Sequence, residues 1–190
     1  MFTPKIEQQL TDFFKNYEYA SAVVAYTEMK GLEYDYVAMA EFRDALTHLK
    51  RVFSETDETA AIVELNSAFE HVRRGAVESL QNHVETKFND IRDRAYAPAP
   101  KYIISRCKRM DIEEFKQKEK DITTYIYEGR RAKPHQGWKE AISYFNKAED
   151  ILDELDSKLP TLEQLNSSFS ENATSLLFLF LGLILGYAIF

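Results

Sequence analysis

WKEAISYFNKAEDILDELDSKL, residues 138–159, is the stretch whose reading decides the fold class. Its apolar residues Trp138, Ala141, Phe145, Ala148, Leu152, Leu155 and Leu159 recur at steps of three and four. A strand buries every second residue, so this spacing belongs to an α-helix with one apolar stripe. About three heptads are too few for a free coiled coil, and the stripe predicts packing within a bundle. Pro160 stops the helix, because proline has neither the amide hydrogen nor the room that a helix interior demands.

The same period extends towards the N-terminus. A first helix is expected from about Pro4, suited to the first helical position, to Lys30. It carries Phe13, Phe14, Tyr17 and Tyr26 near helical spacing. A second helix, from about Tyr34 to Phe53, aligns Ala38, Phe42, Ala45, Leu49 and Val52 on one face. A polar turn over 54–59 follows, with Asp57 or Ser54 as its capping residue. The third helix steps through Ile62, Leu65, Phe69, Val72, Ala76, Leu80, Val84, Phe88, Ile91 and Ala95 without a break. Ala97-Pro-Ala-Pro100 ends it. A fourth is expected from about Lys101 to Arg131, closed by Gly129 and the Lys133–Gly137 loop. Short connections between long helices favour an all-α, antiparallel up-and-down bundle of about five helices.

Composition agrees. Six Gly and five Pro in 190 residues are too few for an all-β fold rich in turns. A 45% hydrophobic fraction, with thirteen Phe and eleven Tyr, supplies a large core. The net charge of −7 argues against nonspecific duplex DNA binding, which feeds on phosphate neutralisation. Cys107 is the only cysteine, which excludes an internal disulfide and a cysteine-cluster zinc site. Met1-Phe-Thr-Pro-Lys5 lacks the apolar run of a signal peptide.

The run ATSLLFLFLGLILGYAIF, residues 173–190, contains no charged side chain. As a helix it is roughly 27 Å long, close to the bilayer's apolar thickness of about 30 Å. It is expected to be a single transmembrane helix. The domain plan is then a cytoplasmic bundle over 1–160, a linker over 161–172 and a tail anchor over 173–190. Gly182 and Gly186 form a small-xxx-small spacing through which two such helices can approach and self-associate. The lipid bilayer and further copies of the chain are the expected partners, with a protein partner besides.

Polar residues concentrate on the second and third helices. In Glu41-Phe-Arg43-Asp44-Ala-Leu-Thr-His48, Asp44 precedes His48 by one helical turn, a spacing that fixes an imidazole tautomer. Arg43 adds a cation able to stabilise a phosphoryl oxyanion. On the third helix His71, Arg74 and Glu78 form a second group. In a helix hairpin the two groups face each other, as a satisfied polar network that sets register or as a ligand site. No metal site and no cofactor are expected: the paired Glu-x-x-His motif of di-iron bundles, the Gly-rich phosphate loop and the His-Glu-x-x-His zinc motif are all missing from the sequence. Two basic clusters, Arg106-Cys-Lys-Arg109 and Arg130-Arg-Ala-Lys133, are read as solvated charges, with RNA or anionic headgroups as the functional reading.

Arg43-Asp44-Ala-Leu-Thr-His48 resembles the R-x4-H motif of HEPN domains, all-α bundles that often cleave RNA as dimers. The resemblance implies that Arg43 and His48 are catalytic, with Asp44 as the polar residue after the arginine, and that two copies meet at the site. In that family the motif usually falls late in the bundle, whereas here it lies on the second helix. Two functions are therefore expected in order. The first is a membrane-tethered, non-enzymatic helical module that acts by interaction and self-association, as some prokaryotic defence effectors do. The second is a membrane-anchored HEPN-like ribonuclease using Arg43 and His48, with RNA as a partner under that reading alone. A soluble interaction protein with a buried C-terminal helix comes third.

Overall fold

The computed structural model describes residues 3–98, 102, 110–133, 137–166, 174, 175 and 177. These residues form an all-α bundle with no strand among them. Its long helices are α1 (Pro4–Gly31), α2 (Tyr36–Val52), α3 (Glu58–Ala95), α4 (Ile112–Ala132) and α5 (Trp138–Lys158).

Local chemistry explains the first four starts. Thr3 Oγ1 accepts the Ile6 amide hydrogen ahead of Pro4, and Asp35 Oδ1 accepts that of Ala38 at 2.9 Å. Asp57 Oδ2 does the same for Ala60 at 2.8 Å, so of the two capping candidates Asp57 is the one used. The helix expected from about Lys101 is not unbroken: Met110 and Asp111 are not helical and α4 begins at Ile112, while 101 and 103–109 lie outside the described residues. Asp111 Oδ1 accepts the amides of Glu113 (2.7 Å) and Glu114 (3.3 Å), a capping geometry that fixes the boundary there. α1 ends with Leu32 in the left-handed region at φ 56°, a place usually left to glycine.

The chain divides into two compact units. One comprises Met1–Glu85 and Tyr125–Asn146. Within it α2 buries Ala38, Phe42, Ala45, Leu49 and Val52, the face that its spacing predicts. α3 buries Leu65, Val72, Ala76, Leu80 and Val84 from its expected seam, and adds Ala61, Ala68 and Val77 on neighbouring faces. Thr27 and Ser79 share a 2.6 Å hydrogen bond in the core, and Thr27 also donates to the Val24 carbonyl in the arrangement drawn by the distances. Gly129 does not close α4. It lies inside the helix, where a Cβ would come within 2.8 Å of two ring carbons of Phe145 on α5. The glycine is there to let the two helices approach.

The other unit comprises Thr86–Thr124 and Lys147–Phe190. Ile91, Phe115, Ile122, Leu152 and Leu155 are fully buried in it. Arg94, only 3% exposed, is bonded to Asp90 at 2.8 Å, to Asp156 and to the Pro160 carbonyl at 3.3 Å. Such a buried cation persists only with charge and hydrogen-bond partners of this kind. After Pro160 the chain turns once more into a short helix over 162–166. Thr161 and Gln164 cap it reciprocally: Oγ1 accepts the Gln164 amide and Oε1 accepts the Thr161 amide, at 3.1 and 2.9 Å. Its Leu165 is fully buried beside Ala97 and Tyr102. Across the two units the seam that opened the sequence reading is buried at every position from Trp138 to Leu159.

Among the described residues no helix is long and apolar enough to cross a membrane. The apolar run over 173–190, with Gly182 and Gly186, lies outside them apart from Thr174, Ser175 and Leu177, and so does the Arg106–Arg109 cluster.

Candidate functional site

The antiparallel α2–α3 hairpin brings together residues with matching spacing. α2 carries Glu41, His48 and Arg51; α3 carries Glu64, His71 and Arg74. Both sets read Glu-x6-His-x2-Arg, and both sit inside a repeated segment, AMAEFRDALTHLKR (38–51) and AIVELNSAFEHVRR (61–74). The alanines at Ala38/Ala61 and Ala45/Ala68 are buried alike, as are Phe42/Leu65 and Leu49/Val72. The hairpin is thus a pair of similar helices related by an approximate two-fold axis.

That axis organises the polar contacts. His48 Nδ1 lies 2.6 Å from Glu64 Oε2, and His71 Nδ1 lies 2.7 Å from Glu41 Oε2. An ionised carboxylate only accepts, so the His48 Nδ1 facing Glu64 carries its proton and donates, whereas His71 Nδ1 lies between an acceptor, Glu41, and a donor, Arg74. The two imidazole rings stack with centroids 5.1 Å apart. Arg51 stands 3.6 Å from Glu64, and Arg74 stands 3.3 Å from Glu41 and 2.9 Å from His71 Nδ1. The hydrogen bond from His48, with Arg51 nearby, holds the Glu64 carboxyl below its ordinary range against the opposing effect of desolvation.

The sequence-nominated residues separate into three places. His48, His71 and Arg74 meet in this network, with His48 and His71 side chains 22% and 18% exposed. Arg43 does not join them: its guanidinium, 76% exposed, pairs with the adjacent Asp44 at 3.3 Å. Asp44 therefore does not orient His48; Glu64, on the other helix, does so. Glu78 is also elsewhere, lining a cavity of about 170 Å³ with Arg73, Arg74, Val77 and Lys133. In the second basic cluster Arg130 makes a two-point bond to Glu85 (3.0 and 2.7 Å) and Arg131 pairs with Glu128 at 3.0 Å.

Glu64 and Arg51 were missing from the sequence-derived set. The signal that finds them is the repeat: once Glu41-x6-His48-x2-Arg51 is aligned with Glu64-x6-His71-x2-Arg74, the cross-pairing follows from antiparallel packing.

As chemistry, the network spends both imidazole Nδ1 atoms and both carboxylates on one another, and each carboxylate has a guanidinium beside it as well. Among the described residues no three His, Cys, Asp or Glu side chains converge in a way that would hold a metal ion.

One further exposed feature belongs to this hairpin. Outside its buried seam α2 bears a second one, Tyr36, Met39, Arg43, Leu46, Lys50 and Phe53, again at steps of three and four. Its four apolar members are each more than half exposed. On α3 the repeat-equivalents of Leu46, Lys50 and Phe53 are covered: Phe69 packs edge-on against Trp138 at 6.1 Å, Arg73 donates to the Lys133 carbonyl, and Ala76 is fully buried. Compared with family models, with curated proteins and with solved structures, the chain matches none.

Proposed function

We propose that this chain is a membrane-tethered helical module that acts by self-association rather than by catalysis. Its helices run antiparallel in the order of an up-and-down bundle, and residues 173–190 anchor it in a bilayer as a single span. The observation that carries the reading is the uncovered outer seam of α2. The equivalent face on α3 is occupied by Trp138 and the Lys133 carbonyl, whereas Tyr36, Met39 and Leu46 on α2 are each more than half exposed. Large apolar side chains recurring along one exposed face of a helix mark an interaction surface.

A second copy is the occupant this seam suits. Antiparallel pairing of two α2 helices sets Tyr36 against Phe53 and places Arg43 and Lys50 opposite apolar residues. Parallel pairing would set each cation against itself, at an electrostatic cost. Gly182 and Gly186 offer a further contact within the membrane. The network of His48, His71, Glu41 and Glu64 fixes the register of the hairpin that presents the seam.

The test is the mass of the full-length chain in detergent, by light scattering across a concentration series. The parent is expected to self-associate, and the Leu46→Glu, Phe53→Glu double variant to fall to monomer with an unchanged helical spectrum. A parent that stays monomeric at high concentration refutes the proposal. RNA cleavage by the parent, lost in a still-folded His48→Ala variant, would establish the HEPN-like reading in its place.

A further inference from the structure

The cavity beside the hairpin is lined by three cations and one carboxylate, in a chain whose net charge is −7. Two of the cations are fixed in place by other groups. Arg73 donates from Nε and a terminal nitrogen to Glu70 Oε2 (3.0 and 2.5 Å), and from its other terminal nitrogen to the Lys133 carbonyl. Arg74 is held by Glu41 at 3.3 Å. Each guanidinium has five N–H groups, so hydrogens remain on both after these bonds are made.

The third cation is different. The Lys133 ammonium makes no hydrogen bond or ion pair among the described residues, although Glu78 lines the same cavity. Its pKa is depressed, first by burial and then by Arg130 and Arg73, with Glu78 and Glu85 acting in the opposite direction. A half-buried ammonium beside two guanidiniums, with carboxylates near but none bonded to it among the described residues, favours an added anion. Glu78 also makes no hydrogen bond among the described residues, which leaves one acceptor in the lining of a donor-rich space.

Size narrows the ligand. About 170 Å³ far exceeds the roughly 30 Å³ share of one water. It falls below the ~300–1,000 Å³ of sites that enclose drug-sized molecules. Guanidinium forks plus an ammonium match the oxygens of a phosphoryl group, and a carboxylate selects for a neighbouring hydroxyl. We propose that Arg73, Arg74, Lys133 and Glu78 form a binding site for a small phosphate ester bearing a hydroxyl, with phosphate on the three cations and the hydroxyl donating to Glu78.

The test is calorimetric titration of the full-length chain in phosphatidylcholine vesicles with glycerol 3-phosphate and, separately, with inorganic phosphate. Saturable binding is expected, with glycerol 3-phosphate the tighter by several-fold. Lys133→Gln should weaken it by about tenfold or more, the worth of a hydrogen bond to a charged group. Lys133→Arg should retain it. Neither substitution touches the main-chain carbonyl that Arg73 uses, so a folded protein is expected, and circular dichroism verifies it. Glu78→Ala should bring the two probes to equal affinity. Adding phosphatidic acid to the vesicles assigns the source: displacement of glycerol 3-phosphate places a lipid headgroup in the site, and undiminished binding supports a soluble ester. Absence of saturable binding, equal affinity for both probes in the parent, or full affinity in Lys133→Gln would each overturn the assignment.

Discussion

Replacing Gly129 with alanine sets two known effects against each other. In the interior of a helix, alanine is favoured over glycine by roughly 0.8–1 kcal/mol. At this position, however, the new Cβ would stand 2.8 Å from Cε1 and Cζ of Phe145 and 3.1 Å from Cδ1. Carbon atoms pack at about 3.5–4 Å, so ring or helix must retreat by about 0.7 Å or more. Phe145 is fully buried and has no open side to move into. Overpacking of this kind costs about 1–3 kcal/mol, and the contact with three ring atoms puts it in the upper half of that range. The net expectation is a loss of about 1–2 kcal/mol, or roughly 3–6 °C in Tm for a chain of this size. Gly75 is the control. There the Cβ would meet Phe42 Cε1 at 3.0 Å and Glu41 Cβ at 3.3 Å, looser contacts than at Gly129, so Gly75→Ala should be neutral within about 0.5 kcal/mol. Urea titrations of the two single variants, with Phe145→Leu and the Gly129→Ala, Phe145→Leu pair, complete the cycle. The pair should be less destabilised than the sum of its parts, since a smaller side chain opens room for the methyl group. A Gly129→Ala protein more stable than the parent would show that helix propensity governs here and that the close crossing does not.

Three other outcomes follow from local chemistry. Leu32 is 89% exposed and sits at φ 56°, so Leu32→Gly relieves backbone strain without losing packing; thermal melts should show a gain of about 0.5–1 kcal/mol. His48→Ala leaves Glu64 with Arg51 alone at 3.6 Å and should lower stability by about 1–2 kcal/mol, read by urea denaturation; an unchanged midpoint would remove the network from the account of hairpin register. Glu154, bonded by Lys118 and Lys158, has its pKa lowered from 4.5 to about 2. A depressed carboxylate contributes stability that is present above 4.5 and lost as pH falls towards 2, so melts of Glu154→Gln should show a flatter acid limb than the parent in that window.

The helices were legible because burial imposes a period. The seam from Trp138 to Leu159 and the inner face of α2 are buried where spacing placed them. Where the expectation failed, a single polar or absent side chain outweighed the pattern. Asp111 starts α4 by accepting two amides, and Gly129 serves a helix crossing in a place that reads as a helix stop. In the candidate site, His48 and His71 stood out as residue types, but their partners lie across the hairpin. Sequence proximity favoured Arg43 and Asp44, which satisfy each other at the surface. Contacts along one helix can be counted from the sequence. Contacts between helices need their register, and only the repeated Glu-x6-His-x2-Arg encodes that.

The small helix over 162–166 bears on mechanics. Leu165 seats the chain in the Ala97–Tyr102 cluster, so the packed fold continues past Pro160. With a bilayer taking up the chain at Ala173, as proposed, the eight steps from Leu165 can span at most roughly 28 Å. The leash is shorter than the bundle's longest helix: α3, at 38 residues, extends about 57 Å. Under that proposal a module on so short a lead would stay crowded against its membrane, where neighbouring copies would meet in two dimensions and at raised effective concentration. Lengthening the lead by inserting flexible residues after Asn166 would dilute that encounter without altering one contact inside the fold.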